Sequence, residues 1–384
     1  MKGLRLSLVR IGAIAGKEWL QIRRDTRSLI LALVAPALLI MLFGYALTVD
    51  VTNVSIAVLD RDKSALSRKF LEQFSHTEYL RVYRYIDTYD EADRLIDAGD
   101  IAMALVLPVG FEKRFKAGKN VEVQLLADGS DSTSATVAMG YVKAIINNFN
   151  LSVKSDELKR IGISNVRMPV EIKSRILYNP ELQSKNFIIP GLLVLVLAII
   201  SALIASLTIS REWERGTMET LITTPVRGFE VIAGKLVPYL FIGLFDVIVT
   251  LALGYFVFGV PLKGSFTELY LVSLLFLIGT SLLGMMISSA TKVQVLSVQV
   301  AMVVTYLPSF ILSGFIFPIK NMPLVIQGIT YLIPAKYLIV LVKGIFLKGV
   351  SVTLLWTQIV FLFVFAAVVC AVSVKKLTLR LPEG

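Results

Sequence analysis

Residues 187–209 read FIIPGLLVLVLAIISALIASLTI, an apolar stretch without a charged side chain. A helix of about 20 residues, rising about 1.5 Å per residue, crosses about 30 Å of hydrocarbon, so this stretch predicts a membrane-spanning helix. Comparable apolar blocks occupy 29–47, 231–259, 269–290, 293–317 and 352–374. The chain is 55% hydrophobic and only 17% charged, which is typical of a membrane protein. We therefore expect an α-helical membrane bundle of six spanning helices.

Charge is distributed unevenly along the chain, and this predicts topology. Residues 1–28 carry seven basic and two acidic side chains, and Lys375, Lys376 and Arg380 follow the last apolar block. Positive charge beside a span favours the cytoplasmic side, so six crossings would leave both termini cytoplasmic. Residues 1–28 contribute +5 and the chain after residue 185 contributes +6 to the net charge of +11, so the positive excess lies beside the apolar blocks and nucleic acid is not expected as a partner.

The amino-terminal segment, 1–28, predicts an amphipathic helix. Its apolar residues fall in one sector of a helical projection and its basic residues lie opposite. Such a helix lies in the membrane interface and contacts lipid. An ordinary basic flank that only sets topology is the alternative. The apolar sector holds Leu4, Leu8, Ile11, Ala15, Trp19 and Ile22, and the basic side includes Lys17, Arg23 and Arg24.

The first span, 29–49, leads into a segment of different character. Residues 50–185 carry 19 basic and 19 acidic side chains, and short apolar runs alternate with helix-like stretches. The runs 54–59, 79–86, 101–107 and 121–126 predict strands, which gives a β-α-β-α pattern closed by a longer helix at 135–158. We therefore predict one inserted extracytoplasmic α/β domain.

The rest of the chain, 186–384, is expected to contain transmembrane helices two to six. Between the last two lies 319–350, which is apolar but interrupted by Pro323, Gly328 and Pro334. Re-entrant half-helices fit this segment better than one straight crossing, because broken helices at membrane depth are tolerated when packed in protein. The four lysines between 320 and 348 would then face outside, against the charge rule.

The most informative polar segment follows the second span. Residues 210–226 read SREWERGTMETLITTPV, too polar for lipid yet apolar on one side at Trp213, Met218 and Leu221. This composition predicts a docking helix near 211–223. The pattern Arg211-Glu212-x-Glu214-x-Gly216-Thr217-x-Glu219-x-Leu221, with Thr224-Pro225 after it, resembles the loop after the second span in type-2 ABC exporter permeases.

The resemblance extends over nearly the whole chain. Lys17-Glu18-Trp19, Leu59-Asp60-Arg61-Asp62 and Ala127-Asp128-Gly129 are similar to motifs of the drug-exporter branch of that family. The resemblance implies that 1–28 is a connecting helix and that the helix near 211–223 couples the bundle to an ATPase subunit. The residues it assigns to ATPase coupling are Arg211, Glu212, Trp213, Glu214, Arg215, Gly216, Thr217, Glu219, Leu221 and Pro225.

The partners and localisation also follow from the resemblance. It implies a permease subunit that moves lipophilic compounds or drugs outward across a bacterial inner membrane. The partners would be an ABC ATPase subunit, a second permease that is the same or a related chain, and, as a further candidate, a periplasmic adaptor. ATP and magnesium would bind to the partner ATPase, and this chain would bind no cofactor.

No enzyme motif is visible. The segment Gly228 to Leu236 has five residues between its glycines and no Ser or Thr after Lys235, so it does not match a P-loop. There is no HExxH or GxSxG pattern, and Cys370 is the only cysteine, so neither catalytic residues nor a metal site are predicted.

One carboxylate, Asp246, lies well inside a span. Charge at the bilayer centre is costly, so this residue is a candidate for substrate contact, ion coupling or a hydrogen bond within the bundle. Two rival functions therefore stay open at this point. One is a secondary transporter that couples ions through Asp246, and the other is a membrane-anchored interaction protein whose bundle transports nothing.

Overall fold

The computed structural model describes residues 2–46, 54–75, 77, 79–130, 132–160, 178–179 and 183–377. The chain divides into two compact units, one formed by Met1–Thr48 with Arg175–Gly384 and the other by Val49–Ser174. The second unit ends before residue 185, the boundary predicted for the α/β domain.

The helical unit begins with two helices, α1 (Lys2–Arg24) and α2 (Thr26–Ala46). They are separated at Asp25, whose backbone N–H donates to the Gln21 carbonyl at 3.0 Å. Among the described residues α1 buries Ile14, Glu18 and Ile22, whereas Trp19 is 44% exposed. The face that α1 packs against its own chain therefore differs from the predicted apolar sector, because it is centred on Ile14 and includes a carboxylate.

The second unit is an α/β domain. Its elements in chain order are β1 (Val54–Asp60), α3 (Ala65–Ser75), β2 (Leu80–Tyr85), α4 (Tyr89–Asp97), β3 (Met103–Leu107), α5 (Phe111–Lys116), β4 (Gln124–Ala127) and α6 (Ser132–Arg160). The sheet order is β2-β1-β3-β4, with β1 parallel to β2 and β3, and β4 antiparallel to β3. The observed order of strands and helices follows the predicted pattern.

Side chains that alternate along the strands form two cores. On one face Ile56, Val58 and Leu105 pack with Phe70 of α3 and Phe149 of α6. On the other face Ala57, Leu59 and Val106 pack with Ala92 of α4. The period of two in a strand places successive residues on opposite faces, so the almost continuously apolar β1 and β3 are covered on both sides.

The turn after β1 is held by two carboxylates. Asp60 accepts hydrogen bonds from the Ser67 hydroxyl at 2.7 Å and from the backbone N–H groups of Asp62 and Lys63 at 3.0 Å. Asp62 accepts from the backbone N–H of Glu112 at 3.0 Å. Burial raises the pKa of Asp62, but hydrogen bonds from the Ser64 side chain and the backbone around Glu112 outweigh it and lower the pKa. The Leu59–Asp62 motif is therefore a structural turn in this domain.

The helical unit continues after the α/β domain. It contains α7 (Lys185–Glu214), α8 (Thr217–Ile222), α9 (Gly228–Ala252), α10 (Phe266–Thr291), α11 (Gln294–Ala301), α12 (Leu307–Leu312), α13 (Leu324–Thr330), α14 (Pro334–Lys348) and α15 (Trp356–Lys376). A π-helical turn, Leu253–Val257, follows α9, and another, Met302–Tyr306, joins α11 to α12.

Five of these helical stretches are long and apolar enough to cross a membrane. They are Lys185–Glu214, Gly228–Val257, Phe266–Thr291, Gln294–Leu312 and Val352–Lys376. The pair α13 and α14 is bent by 79° and adds a sixth if it is one span, and α2 contributes a shorter apolar helix, Ala32–Ala46. The protein is thus a multi-pass membrane protein, and six crossings as assigned from the sequence stay a prediction.

The bend at 331–333 has local causes. Pro334 occupies the first turn of α14, and Ile333 before it has the extended backbone that a following proline favours. The Tyr337 hydroxyl donates to the Tyr331 carbonyl at 2.7 Å across the bend, and the Lys336 ammonium lies 3.3 Å from the centre of the Tyr331 ring. The break is therefore packed by its own side chains.

The centre of the bundle is α7, with 83% of its most apolar window buried. It packs closely on α10, where a Cβ added to Gly284 would lie 2.4 Å from the Ala202 carbonyl oxygen. The Ser201 and Thr280 hydroxyls are 2.7 Å apart in the same contact. Small residues and interhelical hydrogen bonds are what holds helices together where no water is available to drive association.

Candidate functional site at the ends of α1, α7 and α9

The predicted coupling segment is divided in two by the structure. The helix α7 continues through Glu214, and Gly216, with φ of +69°, separates it from the six-residue α8. Glycine adopts this left-handed conformation at little cost, so the chain turns here rather than forming one helix over 211–223. Met218 is buried, whereas Glu219 and Thr220 are exposed.

Glu212 is the centre of a buried polar network just before this turn. Its carboxylate accepts hydrogen bonds from the Lys17 ammonium at 2.6 Å, the Thr217 hydroxyl at 2.7 Å and the Lys235 ammonium at 3.2 Å. These partners belong to α1, α8 and α9. One carboxylate of α7 thus connects the amino-terminal helix, the short helix and the next span.

Lys235 extends the network to a second carboxylate. Its ammonium also forms an ion pair with Glu18 of α1, and the Tyr239 hydroxyl donates to the other oxygen of Glu18 at 3.4 Å. Glu18, Glu212 and Lys235 are all at least 97% buried. Two carboxylates facing Lys235 and Lys17 leave no net formal charge, which is the condition under which buried ions are tolerated. We use the name buried junction for Lys17, Glu18, Glu212, Thr217, Lys235 and Tyr239, in which the exposed Lys17 and Thr217 contact the buried carboxylate of Glu212 from the edge.

Two further ion pairs flank the buried junction. Arg211 of α7 pairs with Asp25 between α1 and α2 at 3.2 Å, and Arg10 of α1 pairs with Glu230 of α9 at 3.4 Å. Glu230 also accepts from the backbone N–H of Arg227 at 3.0 Å, at the start of α9. Ion pairs thus join α1 to α7 and to α9 along much of the length of α1.

The end of α7 is also joined to the turn between α10 and α11. The Lys292 ammonium lies 4.5 Å from the centre of the Trp213 ring, and Glu214 accepts from the backbone N–H of Gln294 at 2.7 Å. Glu214 therefore stabilises packing within the chain, which sequence reasoning did not anticipate. Arg215, Glu219 and Pro225 are exposed, and Leu221 is partly buried.

The residues predicted for the membrane interface separate into two groups. Trp19, Arg23 and Arg24 are exposed on α1, and the Trp19 ring meets Phe241 edge-on at 6.4 Å. Lys17 instead donates to Glu212. The Lys17 ammonium therefore contacts a buried carboxylate of α7 and does not extend toward lipid head groups, although its aliphatic stem is long enough to reach either.

Glu18 and Lys235 were missed as functional residues, although Glu18 stands in a motif that carries the resemblance. A signal was present in the sequence. Glu18 interrupts the series Ile14, Ile22 at helical spacing, and Lys235 follows an otherwise apolar turn of α9. Two opposite charges, each inside an apolar face, point to an ion pair, but the sequence does not say which charges meet.

Asp246 does not belong to the buried junction. It is 1% exposed, and within the described part of the chain neither carboxylate oxygen has a hydrogen-bond partner. The same is true of the Thr250 hydroxyl one turn later. The residue faces the bundle interior, and its role among those predicted stays open. Among the described residues no group of three or more acidic, His or Cys side chains is arranged to hold a metal ion.

The apolar helices of membrane-crossing length define a multi-pass membrane protein. Ion pairs at one end of its bundle join α1, α7 and α9. A family model described as ABC-2 family transporter protein matches residues 27–375, and the chain belongs to that family. It is the permease subunit of an ABC exporter, and membership implies an ABC ATPase as its partner.

Several Escherichia coli K12 proteins are similar to this chain over most of its length. The probable multidrug ABC transporter permease YbhS is 33% identical over 98% of each chain, and YbhR, of the same description, is 28% identical over 91% of this chain and 95% of its own. The inner membrane transport permease YhhJ is 26% identical over 79% of each chain. These similarities favour the exporter over the ion-coupled carrier and the interaction protein.

Proposed function

We propose that this permease exports lipophilic compounds or drugs and that α8 receives the conformational change of the ATPase. The observation that carries the proposal is the Thr217–Glu212 hydrogen bond, because it connects the first residue of α8 to the buried junction. A displacement of α8 would act on α7 directly and, through Lys235 and Lys17, on α9 and α1. Packed elements with discrete arrangements transmit such shifts as rigid units.

The proposed arrangement in the membrane follows the sequence-based topology. Both termini and α8 are cytoplasmic, the α/β domain lies outside, α1 rests on lipid at the inner surface, and α13 with α14 forms a re-entrant pair. The name of YhhJ and the basic amino terminus support a bacterial inner membrane. The names of YbhS and YbhR support drugs as substrates.

The proposed assembly contains two permeases, identical or related, and two separate ATPase subunits that bind ATP and magnesium. Only 22% of the most apolar window of Gln294–Leu312 is buried within the chain, so this surface is available to lipid or to the second permease. A periplasmic adaptor is a further candidate partner of the α/β domain.

The sharpest test is a charge reversal on the exposed side of α8. Glu219→Lys should uncouple ATP hydrolysis from transport, because Glu219 is exposed and no side-chain bond to it occurs in the described part of the chain. We expect substrate transport in vesicles containing the reconstituted complex to fall at least about tenfold per ATP hydrolysed, the effect of about 1.4 kcal/mol of coupling free energy.

The matched control is Glu72→Lys, the same reversal on the exposed side of α3 in the α/β domain. It should leave the ratio of transport to hydrolysis unchanged. Unaltered coupling in a Glu219→Lys protein that folds and assembles would contradict a role for α8 in receiving the ATPase motion.

A further inference from the structure

The α/β domain has an open cleft of about 610 Å³ at one edge of its sheet. Arg61 directly follows β1 and Pro108 directly follows β3. Gln124 begins β4 opposite Val106, the residue before the last one of β3. Tyr89, at the start of α4, completes this edge. Each of these positions lies at the carboxyl ends of the parallel strands, and the cleft lies entirely within the α/β domain.

The strand order of the sheet reverses at this edge. In the order β2-β1-β3-β4, the chain passes from β1 to a neighbour on one side and then crosses to β3 on the other. The order therefore reverses between β1 and β3. In open α/β sheets ligands bind in the crevice outside the carboxyl ends of the strands, at such a reversal.

Helix packing leaves the cleft open. Phe111 of α5 packs with Phe70 of α3 on the face opposite Val106, their ring centres 5.7 Å apart. On the face that carries Val106, the helix that packs against the sheet is α4, which contacts it through Ala92. The connections that follow β1 and β3 thus lead to helices on one face, and the carboxyl edge of the other face remains a cleft.

The charges of the cleft indicate its ligand. Arg61 and Arg114 line it, both are exposed, and in the described part of the chain neither guanidinium takes part in a hydrogen bond or ion pair. Among the described residues Glu122 is the one acidic side chain of the lining, beside two arginines, so the cleft has a positive excess. A guanidinium matches a carboxylate or phosphate with two parallel hydrogen bonds.

The other residues of the lining can contact the uncharged part of a small molecule. Pro108 and Val109 offer apolar surface, and the Tyr89 hydroxyl donates to the Gln124 side-chain oxygen at 3.0 Å, which fixes a polar wall. The volume lies in the range of about 300–1,000 Å³ usual for small-molecule sites. From topology, volume and charge together we propose that this cleft binds a small organic anion, with Arg61 and Arg114 holding its carboxylate or phosphate group.

The site is independent of the coupling mechanism, because it lies in the other unit and needs neither ATP nor an ATPase subunit. Its test is calorimetric titration of the full chain, solubilised in a non-ionic detergent, with phenyl phosphate, benzoate and the uncharged benzyl alcohol. We expect saturable binding of at least one of the two anions with a dissociation constant below about 1 mM, the range that two charge-assisted contacts provide. The anion that binds more strongly identifies the phosphate or the carboxylate as the recognised group. Benzyl alcohol should show no saturable binding.

The variants Arg61→Gln and Arg114→Gln should each weaken anion binding by about tenfold or more. The matched control is Lys113→Gln, which removes one positive charge from the residue next to Arg114 without touching the cleft lining. The Lys113→Gln protein should bind the anions with the same affinity as the unmodified chain. Failure of both anions to saturate at 10 mM, about ten times the expected limit, would overturn the proposal, and so would equal affinity in all three variants.

Discussion

Lys235 combines two properties that are rarely found together in one residue, a charged side chain and nearly complete burial. Transferring an ammonium group out of water costs several kcal/mol, and this cost is offset only if opposite charges and hydrogen bonds surround it. Glu18 and Glu212 supply those charges from two other helices. The residue therefore stabilises one relative position of α1, α7 and α9.

Replacing Lys235 should be far more damaging than replacing Lys17. Lys235→Met leaves two buried carboxylates without their main partner, and we expect a loss of about 3–5 kcal/mol in unfolding free energy. Lys17→Met removes a side chain that is 51% exposed and leaves Glu212 with Lys235 and the Thr217 hydroxyl as partners, so a smaller loss of about 1–2 kcal/mol is expected. Denaturant unfolding of the detergent-solubilised chain measures both.

Adding Glu18→Gln to Lys235→Met should restore part of the lost stability, because it removes one of the two unpaired charges. Equal stability of the Lys235→Met and Lys17→Met proteins would show that the buried junction does not hold the helices as described.

At the scale of elements, α1 is held against α9 by shape as well as by charge. A Cβ added to Gly234 would lie 2.7 Å from the Ile14 Cβ and 3.0 Å from the Ile11 carbonyl oxygen. Neither neighbour is the far end of a flexible side chain, so a methyl group forces the two helices apart. Gly234 directly precedes Lys235. Because α1 and α9 approach closely at Gly234, Lys235 can form its ion pair with Glu18 of α1.

The variant Gly234→Ala should separate α1 from α9 although alanine is the better helix former. We expect lower stability and lower transport in vesicles. Gly16→Ala on α1 is the control, because a Cβ there meets nothing within 4 Å and alanine favours the helix by up to about 1 kcal/mol. If both variants were equally stable, the contact at Gly234 would not be what holds α1 in place.

At the scale of the whole molecule, the two units have separate cores and separate polar networks. The buried junction belongs to the helical unit, and the Asp60 turn belongs to the α/β unit. Residues that share no partner usually contribute additively to stability. A defect in one unit should therefore be confined to that unit.

The variant Asp60→Ala tests this independence. It removes the acceptor for the Ser67 hydroxyl and for two backbone N–H groups, one of them at Lys63 with φ of +50°. We expect a loss of about 1–3 kcal/mol in the α/β unit, seen as faster hydrogen exchange of residues 54–130 with exchange of 185–252 unchanged.

Asp87→Ala is the control for that experiment, because Asp87 pairs with Lys63 at the surface with its side chain 85% exposed, and it should have no measurable effect. Faster exchange in both units of the Asp60→Ala protein would show that they unfold together.

The family resemblance made the segment around Gly216 a candidate for coupling, and the sequence by itself determined the membrane class and the strands and helices of the α/β unit in their order. These features depend on local periodicity and length, which neighbouring residues specify. Tertiary structure alone decided that Glu18 meets Lys235 across more than 200 residues, that Glu214 stabilises the turn before α11, and that Arg61 and Arg114 share one cleft. Such pairs depend on how helices and strands pack against each other, and packing is a property of the folded chain that no local pattern contains.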